Sequence, residues 1–212
     1  MNNFGMLSFR KLYLMVWWGI NTHGGMMDLF AKDNRFNLAN LITFGNIACG
    51  VAAMYLIQQN NFFVAIILAW IAGALDIADG KVARKYGLST EFGIQLDSFA
   101  DFLSFVVMPA FLLFYATKHY ASISGVEELL LGLVFIWYII SGLRRLVEFN
   151  LKVDAGEVAK YFEGVPTPLG AILLWLVYLL TAYGVLTSSY LVALLVLIVA
   201  WSLNSQLRIP HP

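Results

Sequence analysis

Four aspartates occupy places where an apolar chain tolerates charge poorly. Asp76 and Asp79 are three residues apart, and Asp97 and Asp101 are four apart. Both spacings put the pair on one face of a helix. Each pair lies at the edge of a long hydrophobic run, where an ionised carboxylate costs about 2.5–3.5 kcal/mol. Four together would also repel one another, and the neighbouring cations Lys81, Arg84 and Lys85 are few and extend toward water. Bound divalent cations are the economical compensation. An all-oxygen donor set with no His or Cys beside it suits Mg²⁺, Mn²⁺ or Ca²⁺ better than zinc. Gly80, Ala83 and Gly93 keep the surroundings small, which leaves room for a bulky ligand next to the metals. Helix capping or pairing with nearby bases would account for one such aspartate, but poorly for four at helical spacing. A transporter site is the stronger rival, since carboxylates within membranes also mark ion paths. These carboxylates, however, fall near the membrane–water boundary, and the sequence has no pair of interrupted helices.

The elements that carry the aspartates are membrane helices. Of the 212 residues 60% are hydrophobic and only 12% charged, with a mean hydropathy of +0.77. Soluble domains carry about twice that share of charge. The apolar residues fall into six runs, roughly 40–58, 62–79, 93–117, 129–147, 168–183 and 188–204. The predicted fold is therefore an all-α integral membrane protein with six transmembrane helices, occupying residues 37–212. Residues 1–36 form a separate N-terminal segment. There Arg10 and Lys11 lead into a short apolar run with Trp17 and Trp18, which predicts an interfacial helix.

Charge placement gives an orientation. Twelve of the thirteen basic residues precede the first run, follow an even-numbered run or close the fourth; only Lys118 falls on the other side. This predicts that both termini and the aspartates face the cytoplasm of a cell membrane. The net charge of zero gives no reason to expect a nucleic-acid partner. Cys49 is the sole cysteine, which excludes an intramolecular disulfide and a thiolate cluster. The three histidines are isolated and receive no role.

The stretch Asp76-Ile-Ala-Asp79-Gly80-Lys-Val-Ala83-Arg84, followed after eight residues by Gly93-Ile-Gln-Leu-Asp97-Ser-Phe-Ala-Asp101, resembles the signature D-x2-D-G-x2-A-R-x8-G-x3-D-x3-D of the CDP-alcohol phosphotransferases. The likeness covers about 37–210. It implies that Asp76, Asp79, Asp97 and Asp101 hold a pair of Mg²⁺ or Mn²⁺ ions, with Asp101 also acting as the base toward an acceptor hydroxyl. It further implies that Gly80 and Ala83 line the CDP site, that Gly93 permits a close helix approach, and that Arg84 lies by the diphosphate. A homodimer is the assembly the family implies.

Other stretches are similar to the branch that uses CDP-diacylglycerol and L-serine. These are Asn40-Leu-Ile-Thr43 with Asn46 and Gly50, the run from Asp97 to Pro109, Gly142 with Arg145, Phe149 and Asn150, and Gly164-Val-Pro166-Thr-Pro168. Asn46, with Thr43, is a candidate for the cytidine or ribose, and Arg145 is a second substrate-binding candidate. Two positions depart from that branch. Val106 replaces a glycine, and Glu148 replaces an arginine, with Arg144 available nearby as a compensating charge. The implied reaction is transfer of a phosphatidyl group to serine with release of CMP. Glycerol 3-phosphate, choline or an inositol compound are the alternative acceptors.

Overall fold

The computed structural model describes residues 29–32, 34–154, 161–205 and 208–210. The expected interfacial helix at 12–20 lies outside them. Among the described residues the chain forms six helices: α1 (Leu38–Gln58), α2 (Phe62–Tyr86), α3 (Glu91–Ala121), α4 (Val126–Asp154), α5 (Thr167–Ala182) and α6 (Ser189–Leu203). The first four are long and apolar enough to cross a membrane. At 16 and 15 residues, α5 and α6 are about 24 and 22 Å long, short of a hydrocarbon core of about 30 Å.

Local chemistry sets the helix ends. Asn37 caps α1 by accepting a hydrogen bond from the backbone N–H of Asn40 at 3.0 Å. Gly87 ends α2 in the left-handed conformation, at φ 66°, where a side chain would be strained. Thr90 then starts α3, its hydroxyl accepting from the N–H of Gly93 at 3.0 Å. The link between α2 and α3 is therefore only a few residues long.

Packing makes α1 the hub of the site. It runs along α2 in the most extensive helix contact of the fold and also touches α3, whereas α2 and α3 meet only sparsely. Elsewhere α3 packs on α5 and α4 on α6. The core is mostly aliphatic and small residues such as Ala53, Ile57, Leu112, Leu174 and Val196, with Phe62, Phe135, Tyr138 and Tyr178 among them. Large apolar side chains point outward instead, including Phe63, Trp70, Trp137 and Trp201, the first of them 75% exposed. A water-soluble protein rarely shows so much contiguous apolar surface, while a bilayer requires it. The chain is an integral membrane protein built of helices.

Two features were not legible in the periodicity. Residues Phe102–Val107, in the middle of α3, form a π-helical stretch directly after Asp101. The strands Tyr161–Glu163 and Arg208–Pro210 pair antiparallel, with Phe162 opposite Ile209. Three residues are too few to show an alternating pattern, so this small ribbon is an addition to the all-α expectation.

Candidate active site

The site is built on three helices. From α2 come Asp76 and Asp79 near its C-terminal end, and from α3 come Asp97 and Asp101 in and after its first turns. Asp76, Asp97 and Asp101 each bring one carboxylate oxygen to within 4.8 Å of the others. The expected meeting of the two acidic faces is thus realised for three of the four aspartates. Asp79 is buried and faces α1, where the Thr43 hydroxyl donates to its Oδ2 at 2.6 Å. The other oxygen of Asp79 is buried with no hydrogen-bond partner.

These observations fit divalent metal. Clustered carboxylates without a cation between them would repel strongly at low dielectric, and a buried carboxylate oxygen without a donor is costly. The donor set is entirely hard oxygen, as Mg²⁺ and Mn²⁺ prefer.

Beside the carboxylates lies a cavity of about 170 Å³. Asp97 and Asp79 line it together with Gly80, Ala83, Arg84 and Gly93, which places every signature residue expected to meet the nucleotide on one wall system. Two of the small residues have a geometric reason. The Arg84 guanidinium lies over Gly80, with Nη1 3.4 Å from where a Cβ would be. At Gly93 a Cβ would come within 2.9 Å of Asn40 Oδ1, so α1 approaches α3 closely there. An exposed Arg84 at the rim of an acidic, partly polar cavity supplies a planar cation suited to a diphosphate.

Asn46 and Arg145 do not line this cavity. Asn46 is fully buried and its Nδ2 donates to Asp76 Oδ1 at 3.2 Å. Arg145 is also buried, on α4, and its Nε donates to the Val165 carbonyl at 3.4 Å. Asn150, further along α4, donates to the Ser98 hydroxyl at 2.9 Å, next to Asp97 in sequence. The α4 segment and the Gly164–Pro168 stretch are therefore tied to one another and to the acidic helix.

Both departures from the serine branch have structural partners. Glu148 receives the Arg144 Nε at 2.8 Å, so its charge is met by the arginine one turn before it. Val106 is fully buried, and a Cβ on Gly142 would fall 2.5 Å from its Cγ1. The added side chain at 106 occupies the space left by the missing one at 142.

Sequence reasoning gave no role to Asn40, Ser89, Thr90 or Ser104. The first three line the cavity, and Ser104 donates to Asn46 Oδ1 at 2.6 Å. The signal for the α1 residues was present: Asn40, Thr43 and Asn46 are polar residues at three-residue spacing in an apolar helix. Ser104 shares the helical spacing of Asp97 and Asp101, but its partner on another helix is not readable from that spacing.

Comparison with known proteins agrees with this geometry. Relatives include the CDP-diacylglycerol–serine O-phosphatidyltransferase of Bacillus subtilis, 29% identical over 81% of this chain and 88% of the relative. The enzyme of the same description from Methanocaldococcus jannaschii is 29% identical over 86% of this chain and 78% of its own length. An archaetidylserine synthase of Methanothermobacter thermautotrophicus is 31% identical over 73% of this chain and 63% of its own. The sequence profile of CDP-alcohol phosphatidyltransferases matches residues 36–204, which contain every aspartate and cavity residue described above. The chain belongs to the CDP-alcohol phosphatidyltransferase family and is a transferase of that class.

Proposed function

We propose that the protein transfers the phosphatidyl group of CDP-diacylglycerol to the hydroxyl of L-serine and releases CMP. The observation that carries this reading is the convergence of Asp76, Asp97 and Asp101 on one point at the edge of the cavity that holds Arg84. The relatives described as serine O-phosphatidyltransferases support serine as the acceptor.

In this reading Asp76, Asp79, Asp97 and Asp101 hold Mg²⁺ or Mn²⁺. The bound metal neutralises the diphosphate and stabilises the charge on departing CMP. Gly80 and Ala83 let the nucleotide lie against α2, Gly93 keeps the third wall close, and Arg84 pairs with the diphosphate. The Asp101 carboxylate takes the proton of the serine hydroxyl. The hydroxyl oxygen then bonds to the lipid-side phosphorus, and the bond from that phosphorus to the CMP oxygen breaks. Arg145, held at the Gly164–Pro168 stretch, is the candidate to meet the acceptor. The acyl chains stay among the outward apolar side chains throughout.

The same reading places the site at the cytoplasmic face, with both termini on that side and with α5 and α6 completing six spans. A homodimer is the assembly the family implies.

The test is purified protein with CDP-diacylglycerol, Mn²⁺ and a panel of alcohols: serine, glycerol 3-phosphate, choline and inositol. Release of CMP that requires both the metal and serine is expected. Equal release with another alcohol removes serine from the proposal, and metal flux without CMP removes catalysis.

A further inference from the structure

The mechanism above leaves Asn46 and Ser104 unused, yet they are among the most buried polar side chains of the chain. They form a short chain of hydrogen bonds into the acidic cluster. The Ser104 hydroxyl donates to Asn46 Oδ1 at 2.6 Å, and Asn46 Nδ2 donates to Asp76 Oδ1 at 3.2 Å.

Donor and acceptor inventory allows one arrangement only. An ionised carboxylate accepts and cannot donate, so Asn46 must turn its NH₂ toward Asp76. Its carbonyl oxygen then needs a donor, and the hydroxyl of Ser104 supplies it. Without that hydroxyl the buried amide oxygen loses its donor, and the side chain that holds Asp76 loses its anchor to α3. The backbone is shaped for the contact. Ser104 sits within the π-helical stretch that follows Asp101. Gly50 on α1 faces this stretch, where a Cβ would meet Leu103 Cδ2 at 3.3 Å and Ser104 Oγ at 3.5 Å.

We propose that Ser104 and Asn46 are positioning residues that fix the Asp76 carboxylate as a metal ligand, with one oxygen tethered to α1 and the cluster-facing lone pairs left free. The inference rests on the reading of Asp76 as a ligand and assigns Asn46 to the carboxylate rather than to the nucleotide. It also gives the π-helical stretch a purpose, which is to aim Ser104 at Asn46 while Asp101 stays with Asp76 and Asp97.

The experiment is direct Mn²⁺ binding to the purified full chain, measured by electron paramagnetic resonance without substrate, together with kinetics at saturating Mn²⁺. Removing partners of this kind typically weakens metal binding about 10- to 100-fold, and that is the loss expected for Asn46→Leu and, at the lower end, for Ser104→Ala. Ser104→Thr keeps the hydroxyl and is expected to restore binding. The KM for CDP-diacylglycerol at saturating metal should stay near that of the parent protein. Ser104→Ala removes a single oxygen, so it also serves where Asn46→Leu fails to fold. Unchanged Mn²⁺ affinity in Ser104→Ala, or a raised KM with unchanged affinity, overturns the proposal. Asp76→Asn separates the two levels. If it loses Mn²⁺ while the Ser104 and Asn46 variants bind normally, only the positioning role falls. If it binds as the parent does, the metal site falls and the positioning role with it.

Discussion

Asp101 ends the regular first part of α3 and has Asp76 and Asp97 as its neighbours within 4.8 Å. A base placed there lies beside the carboxylates that would hold the metal. Asp101→Asn keeps the shape and removes the basicity. It is expected to lower kcat by about 100-fold or more, the usual scale for losing a positioned general base. Binding of CDP-diacylglycerol should be largely retained, because Gly80, Ala83 and Arg84 are untouched. Single-turnover CMP release alongside lipid-binding measurements checks both halves. Activity at the parent level would remove Asp101 from the base role. At this scale the sequence was informative because charge against hydrocarbon is costly, so the aspartates stood out individually. Ser104 did not, since neutral polar residues in membrane helices are common and its partner comes from another helix.

Helix packing decides where these side chains meet. The contact between α3 and α4 includes the pair Val106 and Gly142, with no room for another methyl group between them. Gly142→Ala is expected to cost about 1–3 kcal/mol of stability through overpacking. Val106→Ala in the same chain should recover most of it by returning the space. Thermal unfolding of the two variants in detergent reads this directly, and an unchanged midpoint for Gly142→Ala would contradict the contact. The helices themselves were readable from the apolar runs, and the short α2–α3 link was readable from Gly87. The π-helical stretch was not, because its local sequence is as apolar as any other membrane helix. The ribbon between Tyr161–Glu163 and Arg208–Pro210 joins segments more than forty residues apart and shows no local pattern.

The whole molecule presents apolar side chains to its surroundings and carries charged residues near both ends of α3. With Lys81 beside the site and Lys118 at the far end of α3, paired with Glu128, orientation becomes measurable. In a Cys49→Ser background, Lys81→Cys is expected to react with a membrane-impermeant thiol reagent only from the cytoplasmic side. Lys118→Cys should react only from the opposite side. Labelling of both from one side would contradict the topology. The proposed function makes one demand of membrane, helices and aspartates together, a cation held between α2 and α3. Anomalous scattering from crystals of the protein grown with Mn²⁺ measures it most directly. The expected result is an anomalous peak bounded by the carboxylates of Asp76, Asp97 and Asp101. Full Mn²⁺ occupancy elsewhere, with no peak among those three, would contradict the account.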